Sequence, residues 1–159
     1  MNKVVSLIAM LAIIFSSTLF AQDSSNVSSN KQLLTSYLAL KDALVAGNSR
    51  QAVLQAKAFQ KAAASVAPSA LDEGTVNKLL QDATKIAATS DIKKQRESFA
   101  SFSTNMAALA KSVKLSDQPI YQAYCPMKKA SWLTSQKAIK NPYYGSSMLT
   151  CGEITATFQ

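Results

Sequence analysis

A mainly α fold, an antiparallel four-helix bundle with a C-terminal irregular or short-strand segment packed on it, is predicted by three observations. Between residues 31 and 117 apolar side chains recur at three- and four-residue steps, the period of one helix face. The 159 residues include only four glycines and four prolines, so long uninterrupted helices are allowed. After Ser116 the period shortens to alternation, and Tyr121, Tyr124, Trp132, Tyr143, Tyr144 and Phe158 crowd into the tail, as in a small packed module.

The first helix is expected over about 30–46, with Leu34, Tyr37, Leu38 and Leu44 on one face and Gly47-Asn48 as its stop. The second, about 49–66, sets Ala52, Ala56, Phe59, Ala63 and Val66 on one stripe ahead of Pro68. So many alanines let a neighbouring helix approach closely. The third starts near Thr75 and carries Val76, Leu79, Leu80, Ala83, Ile86 and Ala87. The fourth is capped by Asp91 and runs to about Lys114 through Ile92, Phe99, Phe102, Met106, Leu109 and Val113. Met106 reads as core filling. Pro119 closes the helical region, Ile120–Cys125 alternates like a strand, 131–135 reads as a second short strand or turn, 141–145 is a turn cluster, and 153–158 alternates again.

Ahead of the helices, Met1-Asn2-Lys3, the apolar run Val4–Phe15 and the approach to Ala21 make the pattern of a secretory signal peptide, 1–21, cleaved after Ala21. The apolar core is shorter than the roughly 20 residues a membrane span requires, so no stable membrane anchor is expected. Residues 22–30, rich in Ser, Asn and Asp, read as a flexible lead to a single domain, 31–159, divided into helices (31–117) and motif segment (118–159). Export implies a periplasmic, oxidising setting that permits disulfides. The formal charge of +8 is spread over scattered lysines and arginines without an interleaved aromatic platform, which argues against nucleic acid as partner.

The chemistry gathers in the tail. Both cysteines lie in a pair of sulfur motifs, Cys125-Pro126-Met127 and Met148-Leu149-Thr150-Cys151-Gly152. Two thiolates and two thioethers form a soft donor set of the kind that selects monovalent copper. The candidate ligands are Cys125, Met127, Met148 and Cys151, with Tyr124, Trp132, Tyr143 and Tyr144 as an aromatic shell. Trp132 offers a cation–π face or a water-excluding anchor, and Lys128 and Lys129 read either as cations that favour thiolate or as solvent-facing turn residues. The alternative is a Cys125–Cys151 disulfide, whose loop closure is worth roughly 3 to 4 kcal/mol in the chain-entropy model. A third state combines them, disulfide when oxidised and dithiolate when reduced.

The segment Tyr124-Cys125-Pro126-Met127, Trp132-Leu133-Thr134, Asn141-Pro142-Tyr143-Tyr144-Gly145 and Met148-Leu149-Thr150-Cys151-Gly152-Glu153 resembles a bacterial periplasmic family filed as a domain of unknown function. That family occurs alone after a signal peptide or appended to the adaptor subunits of copper and silver efflux pumps. The resemblance implies copper(I) or silver(I) as the bound ion and an efflux adaptor or other envelope protein as partner. It matches the four sulfur positions, with Trp132, Asn141, Pro142, Tyr143 and Gly145 as framework. One departure is the short Lys-Lys-Ala-Ser link before Trp132, where family members often carry a longer glycine-containing insert.

An enzyme is not expected. The chain has no histidine and so no evident nucleophile–base pair, and its two cysteines are too far apart for the Cys-x-x-Cys motif of thiol oxidoreductases. Two functions remain open: a periplasmic copper(I)/silver(I)-binding protein that buffers or hands on the ion, and a disulfide-stabilised interaction module of the envelope without metal.

Overall fold

A computed structural model describes residues 18–66 and 71–159. Four helices come first, α1 (Thr18–Val45), α2 (Ser49–Ala64), α3 (Glu73–Ala87) and α4 (Ile92–Ser112). Three short strands follow, β1 (Ile120–Cys125), β2 (Ala130–Thr134) and β3 (Glu153–Phe158), with a 3-10 turn at Gly145–Met148 before the last. The signal-peptide core Val4–Phe15 and the expected stop at Pro68 lie outside the described residues.

Local chemistry accounts for the helix ends. Asn48 Oδ1 accepts from the Gln51 amide at 3.0 Å and caps α2. Asp72 accepts from the Thr75 amide and caps α3, and Asp91 accepts from the Lys93 amide and caps α4. At the end of α1 the Gly47 amide bonds Leu44 O and the Asn48 amide bonds Ala43 O, the paired closure of a Schellman motif. At its start, the flexible lead expected over 22–30 is instead helical, continuous with α1 back to Thr18. Ser, Asn and Asp cost at most about 0.7 kcal/mol each relative to Ala in a helix. A helix nucleated by the buried Leu33, Leu34 and Tyr37 therefore extends through them.

Consecutive helices pack on one another, and α4 packs on β2. Tyr37, Phe59, Phe99 and Phe102 are fully buried and meet as a ring cluster, with Phe59 edge-on to Phe102 at 4.7 Å and Tyr37 against Phe99 at 5.5 Å. Ala52, Ala56 and Ala63 of α2 are buried, as its alanine stripe predicts, with Ala62 buried beside them, and Met106 is core. A polar link was not legible in the sequence: buried Asp82 of α3 accepts from Ser101 Oγ (2.9 Å) and Asn105 Nδ2 (2.7 Å) of α4. Among the described residues no helix is long and apolar enough to cross a membrane.

The strands form one antiparallel sheet in the order β2-β1-β3. Its β2 edge is covered by the helices and by the tail's own loop. Tyr37 OH, bonded to Ser103 Oγ at 2.6 Å, accepts from the Leu133 amide at 2.9 Å, and Tyr143 OH donates to Ser131 O. Two tyrosine hydroxyls thus occupy the backbone groups that an edge strand leaves open. The same contacts tie the sheet to α1 and α4.

Candidate functional site

β1 delivers Cys125 to its C-terminal end, and β3 starts two residues after Cys151. Antiparallel pairing of Tyr124 with Glu153 therefore brings the two cysteines together across the end of the sheet. Their sulfurs lie 3.1 Å apart as free thiols, Cys125 fully buried and Cys151 half-buried.

Two loops hold this pair. After Cys125 the chain turns through Pro126-Met127-Lys128-Lys129, and the Lys129 amide returns to Cys125 O at 2.8 Å. Lys129 sits at φ 55°, a left-handed conformation costing roughly 1–2 kcal/mol in a residue with a Cβ. The short link before Trp132 thus makes a tight turn in which Cys125 pairs with Ala130.

The second loop is organised by Asn141, which is fully buried. Its Nδ2 donates to Cys151 O at 2.7 Å, and its Oδ1 accepts from the Tyr143 amide at 2.8 Å. Its own amide bonds Leu149 O, and its carbonyl accepts from Gly145. One side chain therefore fixes both the Asn-Pro-Tyr-Tyr turn and the backbone of Cys151. Gly152, at φ +145°, follows in a space no other residue fits, because a Cβ there would lie 2.7 Å from Trp132 Cη2 and 3.0 Å from Tyr124 O.

The two thiols are electrostatically unequal. Burial alone would raise the Cys125 pKa, but the Cys151 thiol, the Lys128 amide, the Asn141 side chain and the Met127 amide all favour its thiolate and bring it below the ordinary thiol value. Cys151 moves the other way, because its proton is held against the Cys125 sulfur and ionising both would bring two negative charges together. Of the two, Cys125 is therefore the thiol that ionises first, with the Cys151 S–H as its hydrogen-bond donor.

Of the four candidate ligands, the structure brings the cysteines into contact and joins the methionines to them through backbone. The Met127 amide faces both sulfurs while its side chain is 65% exposed. Met148 is half-buried, and its carbonyl accepts from the Cys151 amide at 3.1 Å. Among the described residues no three of His, Cys, Asp and Glu converge on one point.

The shell residues divide. Trp132 is buried beside Gly152 and meets Tyr143 edge-on at 6.0 Å, and Tyr143 continues to Phe99 of the helical core at 5.8 Å. Burial, chiefly, raises the Tyr143 pKa, and the Cys125 charge adds to it. These two rings form the dry floor beneath the thiols. Tyr124 precedes Cys125 in the strand, so its side chain takes the opposite face, and only its backbone borders Gly152. Tyr144 binds Asn141 Oδ1 through its amide and lines a neighbouring cavity. Asn141 was legible as a turn residue, but the reach of its side chain to Cys151 was not.

No curated protein and no solved structure matches the chain. A family model does, over residues 33–118, more than half of the sequence. That span covers the C-terminal part of α1 from Leu33, all of α2 to α4 and most of the link to β1, and ends before the cysteine segment. The chain belongs to the family described as Protein of unknown function (DUF3347).

Proposed function

We propose that this protein binds copper(I) or silver(I) in the bacterial periplasm and either buffers the ion or hands it to an efflux adaptor. The observation that carries the reading is the thiol pair, two sulfurs in contact with one held toward thiolate. Thiolate is the donor a soft monovalent ion prefers, and a two-thiolate site without hard oxygen ligands discriminates against magnesium and calcium. The copper and silver association rests on the motif resemblance, and the periplasmic setting on the signal-peptide pattern of residues 1–21. In this reading the helices form an antiparallel bundle that acts as scaffold, and the protein is not an enzyme.

An incoming ion requires the sulfurs to separate. Cys125 is fixed in a strand and the Cys151 backbone is held by Asn141, so the separation comes from side-chain rotation at Cys151, the more exposed of the two. Binding releases the proton shared by the pair. In this reading the thioethers of Met127, which is exposed, and of Met148, which is half-buried, supply the neutral donors.

The second reading, a disulfide-stabilised interaction module, is favoured by the same 3.1 Å approach, since exchange with an incoming disulfide oxidant, which takes up the two electrons and two protons and leaves as two thiols, closes the bond between these atoms. Native mass spectrometry of the reduced protein under anaerobic conditions separates the two. One copper(I) per chain, lost in the Met127→Ala, Met148→Ala and Cys125→Ser triple variant, supports the metal site. Equal uptake by that variant rules this site out. A chain isolated with an intact disulfide that binds no copper after reduction favours the module.

A further inference from the structure

Beside the thiol pair lies a cavity of about 320 Å³ lined by Lys93, Arg96 and Glu97 of α4, Lys128 of the turn after β1, and Tyr144 and Ser147 of the second loop. Three cationic residues and one acidic residue contribute to this lining. None of the three forms an ion pair among the described residues.

The placement runs against what the helix alone would favour. The first turn of α4 carries Lys93 and no acidic residue, with Arg96 just beyond. A helix N-terminus is the positive end of its dipole, where a cation is disfavoured by roughly 0.3–1 kcal/mol. The Asp91 cap offsets part of this, and Lys128 then adds a third positive charge from another part of the chain.

Arg96 is also held in advance of any ligand. Its Nη2 donates to Leu44 O at 2.8 Å, near the C-terminal end of α1. Gly145 passes so close that a Cβ there would fall 2.4 Å from the same nitrogen. Its Nε is buried with no hydrogen-bond partner among the described residues. Capping α1 accounts for the Leu44 bond, but not for Lys93 and Lys128 gathered at the same cavity.

We infer that this cavity binds a small dianionic oxyanion, a phosphate or a short dicarboxylate, between Arg96, Lys93 and Lys128. The net charge of the lining, three cations less Glu97, matches a dianion. Arginine and lysine supply the charge-assisted donors that such groups take. The site is separate from the thiol pair and does not depend on copper binding.

The test is calorimetric titration of the reduced full chain at pH 8 with inorganic phosphate and, in parallel, succinate, against chloride at matched ionic strength. Saturable one-to-one binding is expected, and the two arms decide between phosphate and carboxylate. R96Q also removes the Leu44 contact, so K93Q/K128Q carries the test, and that double variant should bind at least about tenfold more weakly, a loss of about 1.4 kcal/mol. E97Q should bind more tightly. Absence of saturation beyond the chloride control, or unchanged affinity in K93Q/K128Q, would overturn the inference.

Discussion

The helical region and the C-terminal segment are held together by different means. In α1 to α4 the interior is apolar and aromatic, with Leu40, Leu44, Phe59, Phe102 and Met106 fully buried. In the segment from Ile120 onward the structure depends on particular polar atoms: Asn141 on Cys151, Tyr143 on Ser131, Tyr37 on Leu133. Burial of rings and aliphatic side chains dominates the first region, supplemented by buried polar links such as Asp82 to Ser101 and Asn105, whereas the second is positioned chiefly by individual hydrogen bonds. Only the second carries reactive chemistry, and it needs the first as a floor, since the rings of Tyr143 and Phe99 join them.

The sharpest way to break this comparison is Phe102→Ala. Phe102 touches Tyr37, Phe59 and Phe99, so its truncation should cost about 3–5 kcal/mol and unfold both regions together in a urea titration. Separate transitions for helical signal and Trp132 fluorescence would show that the tail stands alone.

Asn141→Ala should cost less, about 2–3 kcal/mol, because Cys151 O and the Tyr143 amide lose their partner. Its effect should fall on the site, with copper(I) affinity dropping while far-ultraviolet circular dichroism at low temperature is unchanged. Loss of helicity under those conditions would contradict the division.

Tyr37→Phe removes one hydroxyl that serves Ser103 and the Leu133 amide. A loss of about 1–2 kcal/mol is expected, with faster hydrogen exchange at Leu133 than at the amides of α2. Uniform exchange would mean that the hydroxyl does not couple sheet to helices.

The smallest effect is the pH dependence of the reduced protein. Cys125, with its folded pKa lowered from its ordinary value, stabilises the fold above that ordinary value and loses the contribution as pH falls through its folded pKa. Cys151, raised, stabilises the fold below the ordinary value and loses it as pH rises through its own folded pKa. Stability from the pair should therefore peak near the ordinary thiol pKa, and the peak should vanish in Cys125→Ser. Thiolate absorbance should likewise titrate in two steps on either side of that value.

Much of the helical region was legible because its signals are local. The Gly47-Asn48 stop, the Asp91 cap, the alanine stripe of α2 and the Phe99/Phe102/Met106 period each lie within a few residues of what they determine. The alternation of Ile120–Cys125 and of 153–158 likewise marked β1 and β3. The site was legible as a motif but not as a geometry. Contact between the cysteines depends on strand register across 26 residues, and the link from Tyr37 to Leu133 spans 96. Arg96 reads in sequence as one more solvated cation, because its partner Leu44 lies 52 residues away. Residues 22–30 were read as coil from composition, which misses how a packed helix extends through indifferent residues.

The most direct measurement is an anaerobic copper(I) titration of the reduced protein against a chromophoric chelator. Binding by the thiol pair predicts that the protein takes one equivalent from the chelator, that affinity rises with pH as the shared proton leaves, and that Cys125→Ser abolishes capture. No competition with the chelator, or equal competition by Cys125→Ser, would contradict a metal site at Cys125 and Cys151 and leave the pair with a structural role.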